Sequence, residues 1–118
     1  MELQRIVELV EGKIVVSGRS SPGSGVSVTS VYSTDLMSDV LHYAIRGSLL
    51  ITGLNQSQVI RSAEIADIPA VLVTQDKRID REMAELARAK DITIISTRLP
   101  MFTVCGILYE QGLRSSRE

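Results

Sequence analysis

Three short, almost wholly apolar runs constrain the fold of this chain more than any other feature. Each ends in or near a hydroxyl residue, and they begin 22 residues apart: SLLITG at 48–53, AVLVTQ at 70–75 and ITIIST at 92–97. A continuous apolar run of this length is typical of a strand that is covered on both faces. The connections carry apolar residues at helical spacing, namely Val59, Ile60, Ala63 and Ala66 in the first and Ile79, Met83, Leu86 and Ala87 in the second.

An order of strand, helix and strand with short loops favours parallel pairing and right-handed crossovers. We therefore predict that the strands near 48–52, 70–74 and 92–96 are parallel. The fold class that follows is α/β, an open and mostly parallel sheet of about five strands with helices on its faces. Ligands in this class bind beyond the carboxyl ends of the strands.

The N-terminal part predicts a helix followed by a strand pair. Residues 2–10 place apolar side chains at helical spacing, and Gly12 follows at the expected helix end. Two β-branched runs, 13–18 and 25–33, are separated by RSSPGS, which suits a turn. We expect a hairpin or two neighbouring strands here.

Two further helices complete the prediction. The segment 34–46 has a helical period, with Ser33 or Thr34 as the expected cap, and its predicted apolar face consists of Leu36, Met37, Val40, Leu41, Ala44 and Ile45. The last helix begins near Pro100, and its predicted apolar stripe consists of Phe102, Cys105, Gly106, Tyr109 and Leu113. We expect one domain over residues 1–112 and a polar tail over 113–118.

Charge and composition exclude several classes of function. The 118 residues include 13 basic and 14 acidic side chains, for a net charge of -1, and only 3% aromatic residues with no Trp. A protein that binds nucleic acid needs a basic surface or stacking aromatics, so nucleic acid is not an expected partner. The sequence contains no run of eighteen consecutive apolar residues, so it predicts no membrane-spanning helix. The single cysteine and the acidic N-terminus favour the cytoplasm.

Residues across most of the chain resemble a known family. They are STDLMSDVLHYA at 33–44, the two following strands, and IISTRLPMFTVCGILYEQGL at 94–113. In their order and spacing these motifs resemble the DRTGG domain family, in particular its short stand-alone bacterial members. The resemblance implies a regulatory α/β module without catalysis, which in larger proteins accompanies CBS domains or a catalytic domain.

The chain departs from the pattern that names this family. Where relatives have Thr-Gly-Gly after the central strand, this sequence has Thr74-Gln75-Asp76. Consecutive glycines can form a concave nest of backbone amides that receives an anion, whereas Gln75 and Asp76 restrict the backbone and Asp76 adds negative charge.

Polar side chains at the predicted strand ends are the ligand candidates. Parallel strands would bring hydroxyl residues to one edge of the sheet, each just before a helix whose first amides lack partners. The candidate set is Thr52, Thr74, Gln75, Ser96, Thr97, Asp35 and Asp39. Threonine is also a good strand residue and helix cap, so a purely structural role is the alternative. A mixed polar molecule such as a nucleotide suits this set better than bare phosphate.

The remaining chemistry favours no active site. Cys105 lies on the predicted apolar stripe and is interpreted as a buried, inert thiol. Asp35, Asp39 and His42 share one helix face, but capping acids beside a surface histidine are the commoner arrangement, so we predict no metal and no cofactor. Because this face carries the most family-like motif, contact with a partner or with the ligand is the alternative. GRSSPGSG at 18–25 lacks the lysine and the helix of a phosphate-binding loop and is interpreted as a turn. DKRIDRE at 76–82 is interpreted as a solvated helix start.

Three hypotheses for function follow. The first is a non-catalytic regulatory module that binds a small polar ligand, a regulated enzyme partner, or both. The second is a structural homodimer without a ligand, which associates through Tyr109 and Leu113 of the last helix or Leu3 and Val7 of the first. The third, with the least support, is an enzyme that acts on a phosphorylated metabolite.

Overall fold

The fold is seen in a computed structural model that describes residues 1–18 and 27–116. This part of the chain contains five helices and five strands, in the order α1 (Leu3–Leu9), β1 (Lys13–Val16), β2 (Val31–Ser33), α2 (Met37–Tyr43), β3 (Leu49–Thr52), α3 (Ser57–Ile65), β4 (Ala70–Val73), α4 (Arg81–Ala89), β5 (Thr93–Ser96) and α5 (Met101–Glu110). The α/β class predicted from the sequence is confirmed.

The strands form one sheet in the order β1-β5-β4-β3-β2. β2, β3, β4 and β5 are parallel, and the register places Thr52 beside Val73 and Val73 beside Ser96. The predicted parallel arrangement of the three apolar runs is therefore confirmed. Their side chains are buried on both faces of the sheet, which explains the continuous apolar sequence.

The prediction of a hairpin or of neighbouring strands near the N-terminus is wrong. β1 and β2 lie at opposite edges of the sheet, where β1 pairs antiparallel with β5 and β2 pairs parallel with β3. The strand expected over 25–33 is limited to Val31–Ser33 in the described part, and Ser27 forms an isolated bridge with Glu2. The turn predicted between the strands lies outside the described residues.

Two apolar layers form the core, one on each face of the sheet. On one face, α2, α3 and α4 pack against side chains such as Leu50, Val71 and Ile94. On the other face, α1 and α5 pack against alternate side chains such as Ile51 and Leu72. The alternation of side chains along a strand divides each apolar run between the two layers.

α2 is shorter than predicted and buries only part of its expected face. Neither Ser33 nor Thr34 caps it, because Ser33 is still part of β2 and the Thr34 hydroxyl accepts the Leu36 amide at 3.0 Å in the preceding turn. Within the helix, Met37 and Val40 are buried. Three side chains of the predicted apolar face are instead exposed, and these are Leu36, Leu41 and Ile45.

α5 presents a different face to the core from the one predicted. Val104 and Leu108 are buried, whereas Phe102 is 89% exposed and Tyr109 is 52% exposed. Cys105 is half-buried, and its Sγ lies 3.4 Å from the Ser33 hydroxyl. The interpretation of Cys105 as a buried thiol is therefore wrong, since it lies with Phe102 and Tyr109 on the outer face of the helix.

Residues 113–116, the described part of the predicted polar tail, pack against the fold. Leu113 and Ser116 are buried. The Val31 amide donates to the Arg114 carbonyl at 3.0 Å, and the Ser116 amide donates to the Val31 carbonyl at 2.9 Å, so this segment covers part of the outer edge of β2. Because Leu3 and Leu113 are both buried, neither is free to form the dimer surface expected from the sequence.

None of the helices in the described part of the chain is long and apolar enough to span a bilayer.

Candidate functional site

Asp35 organises the loop that follows β3. The Thr52 hydroxyl and the Gly53 amide both donate to the same Asp35 carboxylate oxygen, each at 2.8 Å. The Thr52 hydroxyl in turn accepts the Leu54 amide at 3.2 Å. The structure therefore brings Asp35 and Thr52 together as predicted, but it uses them to fix the β3–α3 loop.

The other predicted hydroxyls reach the same edge and are also used within the fold. Thr74 is fully buried, and its hydroxyl donates to the Thr52 carbonyl at 3.5 Å. The Thr97 hydroxyl donates to the Val10 carbonyl at 2.7 Å and accepts the Leu99 amide at 3.1 Å. Ser96 is 5% exposed at the end of β5. These contacts favour the structural alternative for the hydroxyl group of each threonine.

Gln75 and Asp76 have left-handed backbone conformations, with φ of 65° and 55°. Glycine adopts this region without strain, which explains the pair of glycines in the family pattern. This chain has the same left-handed conformation at two residues that are not glycine. The Gln75 amide donates to the Leu99 carbonyl and the Asp76 amide to the Thr97 carbonyl, both at 2.9 Å. Because these two amides join the β4–α4 loop to the β5–α5 loop, they do not form a nest for an anion.

Asp39 and His42 lie apart from this edge network. Asp39 is half-buried in the first turn of α2 and makes none of the hydrogen bonds that hold the Asp35 cluster. The His42 ring packs edge-on against Tyr43 at 4.5 Å between ring centroids. Within residues 1–18 and 27–116, no three side chains of His, Cys, Asp or Glu come close enough together to hold a metal ion.

A groove of about 510 Å³ lies beside the predicted residues, between the β3–α3 loop and the start of α4. Its walls are Asn55 and Gln56 on one side and residues 78–81, including Arg78 and Arg81, on the other. The Asn55 side-chain amide donates to the Arg78 carbonyl at 2.6 Å, and Lys77 Nζ donates to the Gly53 carbonyl at 2.9 Å. Two loops at the carboxyl ends of neighbouring parallel strands are thus joined across the groove.

Sequence reasoning missed this groove, although a signal for it was present. The alternating charges of DKRIDRE predict a solvated face, and its side chains are indeed largely exposed. Its position directly after β4 also places three cations at the edge where this class of fold binds ligands. Arg81 pairs with Glu85 at 3.1 Å, and Asp76 and Asp80 add negative charge, so the rim is of mixed sign.

Comparison with known proteins assigns the family. The model of the DRTGG domain matches residues 5–110. The chain belongs to the DRTGG domain family. No curated protein matches the sequence.

A solved structure also shares the DRTGG fold. It is the structure of the CBS and DRTGG domains of the regulatory region of Clostridium perfringens pyrophosphatase, complexed with its activator diadenosine tetraphosphate. It is 18% identical to this chain, with a TM-score of 0.72 over 91% of this chain and 45% of that one. The DRTGG domain described above thus spans less than half of that chain.

Proposed function

We propose that this chain is a regulatory module without catalysis, which binds a polar ligand of the nucleotide class in the groove between the β3–α3 loop and the start of α4. The observation that carries the proposal is the position of Arg78 and Arg81 beside Asn55 and Gln56, at the carboxyl edge of a parallel sheet. Arginine side chains bind phosphate groups with charge-assisted hydrogen bonds. The amide groups of Asn55 and Gln56 suit a base or a sugar hydroxyl.

The site residues predicted from the sequence support this function indirectly. Asp35 and Thr52 fix the start of the β3–α3 loop, which forms one wall of the groove. The Thr97 hydroxyl fixes the neighbouring β5–α5 loop. We propose that Thr74, Gln75 and Ser96 have the same supporting role. Asp39 has no contact that ties it to the groove.

A role without chemistry is supported by how the reactive side chains are used. An enzyme that acts on a phosphorylated metabolite would need a nucleophile or a general base free to meet the substrate. The Thr52 and Thr97 hydroxyls are engaged inside the fold, and the His42 ring packs against Tyr43 on α2. The groove is lined by Arg78, Arg81, the amide side chains of Asn55 and Gln56, and the carboxylate of Asp80. The arginine and amide groups bind phosphate without transforming it.

The related pyrophosphatase region supports the choice of ligand class, because it is complexed with a dinucleotide activator. By analogy, a nucleotide bound across the groove would contact both loops at once and favour one arrangement of the Asn55–Arg78 and Lys77–Gly53 bonds. Regulation then follows when a partner enzyme binds one arrangement better than the other. We propose a cytoplasmic enzyme as that partner.

Titration calorimetry with ATP, diadenosine tetraphosphate, AMP and inorganic phosphate tests the groove. We expect the double variant Arg78→Ala, Arg81→Ala to weaken binding of the polyphosphate probes by at least about tenfold, since each lost charge-assisted bond costs more than 1 kcal/mol. Arg88→Ala is the matched control, because Arg88 is an exposed arginine in the last turn of the same helix. Equal affinity in both variants, or no binding of any probe to the wild type, would overturn the proposal.

The second candidate function is a structural homodimer without a ligand. It is favoured by the exposed aromatic side chains of α5, Phe102 and Tyr109, which the fold leaves on the surface. Loss of the nucleotide site would leave this candidate in place, since α5 and the groove involve different residues.

A further inference from the structure

The outer face of α5 carries exposed aromatic side chains on either side of a glycine that leaves the helix backbone uncovered. Phe102 at one end of this face is 89% exposed, and Tyr109 at the other end is 52% exposed. Between them lie the half-buried Cys105 and the exposed Gly106, and a Cβ added at Gly106 would meet no atom within 4 Å. A contiguous apolar surface of this kind marks an interaction site more often than isolated exposed side chains do.

A pocket of about 240 Å³ opens beside this face, between α5 and the edge strand β2. It is lined by Val31, Tyr32 and Ser33 of the strand and by Cys105, Leu108 and Tyr109 of the helix, together with Ser115. A cavity of roughly 150 Å³ is enough to hold benzene, so the pocket has room for a phenyl ring. Phe102 of the same chain does not fill it, since that side chain is exposed.

The arrangement of this face is self-complementary. Phe102 precedes Cys105 by three residues, and Tyr109 follows Gly106 by three residues. If two copies of α5 pack antiparallel about a twofold axis between Cys105 and Gly106, Phe102 of each copy meets Tyr109 of the other. Gly106 lets the two helices approach closely at the axis. We infer that a second copy of this chain docks here, and that Phe102 of each copy enters the pocket beside Tyr109 of the other.

Charges at the two ends of α5 agree with this arrangement. Arg98 lies just before the helix with a side chain that is 66% exposed, and the exposed Glu110 is its last residue. Antiparallel packing brings the start of one helix to the end of the other, so the opposite charges face each other twice by symmetry. Within one chain, Arg98 already pairs with Glu11 at 2.6 Å, which holds it at this end of the helix.

The area available sets the expected strength. A fully buried aromatic side chain covers roughly 150–250 Å², so Phe102 and Tyr109 supply about 300 Å² per copy. Over the two copies these four side chains supply about 600 Å², roughly half of the area that the smallest specific interfaces bury. We therefore expect dimers that exchange with monomers at micromolar concentrations. This inference deepens the second candidate function and does not depend on the nucleotide groove.

Sedimentation velocity from low to high micromolar concentration measures the association. We expect Phe102→Glu and Gly106→Gln each to raise the dissociation constant by at least about tenfold. Gly106→Gln also removes a glycine from a helix interior, so its midpoint of thermal unfolding should rise while its dimer weakens, which excludes misfolding as the cause. Ile65→Glu is the matched control, because Ile65 is 72% exposed on α3, and we expect no change in its association.

The single cysteine provides a second measurement on the wild-type chain. Cys105 adjoins the inferred axis, so a short bismaleimide should cross-link the wild type into a dimer and should leave Phe102→Glu monomeric, while Cys105→Ser should still sediment as a dimer. A wild-type monomer at high micromolar concentration would overturn the inference and leave the face to a different protein. A dimer that survives both α5 substitutions would overturn it as well. Arg78→Ala, Arg81→Ala should not alter association, so failure of the groove and failure of the interface can be told apart.

Discussion

The carboxyl edge of the sheet and the outer face of α5 use their side chains in opposite ways. At the edge, the Asp35 carboxylate and the Thr52 and Thr97 hydroxyls are all engaged by other groups of the same chain. On the outer face of α5, Phe102 is exposed and the one described partner of the Tyr109 ring is the Arg114 guanidinium, 3.9 Å from its centroid. Polar residues at a strand end are thus not a binding surface unless their hydrogen-bonding groups remain free.

Among substitutions that test this comparison, the largest change in stability should come from Asp35. We expect Asp35→Ala to lower the free energy of unfolding by about 2 kcal/mol, because two donors, one of them on the buried Thr52, lose their acceptor. Asp39→Ala is the matched control and should change stability by less than about 0.5 kcal/mol. Urea denaturation of both variants checks this. Equal losses would show that the Asp35 cluster does not hold the loop.

A smaller effect of opposite sign should come from the left-handed residues. Gln75→Gly should raise the free energy of unfolding by about 1 kcal/mol, because glycine adopts a φ of 65° without strain. Asp76→Gly should gain less, since aspartate tolerates this region better than glutamine does.

Gln58→Gly is the control for these glycine variants. The chemical change is the same as at Gln75, but position 58 lies in the first turn of α3, where glycine should cost about 0.5 kcal/mol. Thermal unfolding of the three variants gives the comparison. A loss of stability in Gln75→Gly would mean that the glutamine side chain makes a contact that outweighs its backbone strain.

The smallest effect should be at Cys105. The half-buried thiol contributes less packing than a core residue, so Cys105→Ala should change stability by less than about 0.5 kcal/mol. The neighbouring Val104→Ala removes a fully buried side chain and should cost about 2 kcal/mol. Denaturation of the monomer at low concentration measures both. A cost at Cys105 equal to that at Val104 would restore the buried interpretation made from the sequence.

The parallel core of the sheet could be predicted because the sequence patterns that indicate it are local and are consistent with one strand arrangement. The runs that become β3, β4 and β5 are apolar on both faces, and the helical patterns between them allow only parallel pairing over such short loops. The hairpin prediction failed for the opposite reason. The nearness of β1 and β2 in sequence favours pairing, but the pairing of β1 with β5 depends on contacts between distant parts of the chain.

The face that α5 buries could not be read from its pattern. Apolar residues lie all around the helix, so the stripe of Phe102 and Tyr109 and the stripe of Val104 and Leu108 are both consistent with helical spacing. The choice between them is made by which side chains fit against β3 and β4. Likewise, the sequence placed Thr52, Thr74 and Thr97 near one edge and left open a ligand-binding or a structural role for their hydroxyls. The fold decides between the two roles, because it places acceptors such as the Thr52 and Val10 carbonyls beside these hydroxyls.

The strand order has a consequence for how the chain acquires its structure. β2, β3, β4 and β5 lie side by side in the order in which they occur in the sequence, so each can add to the one before it through a single crossover. β1 precedes them all, yet within the described residues it pairs with β5, with Lys13 opposite Ser96. Contacts across so long a separation slow folding, because the intervening chain must first be brought together. β1 can therefore pair only after β5 has joined the sheet. The apolar layer in which α1 packs also contains α5, so α1 completes its packing only after α5 is in place.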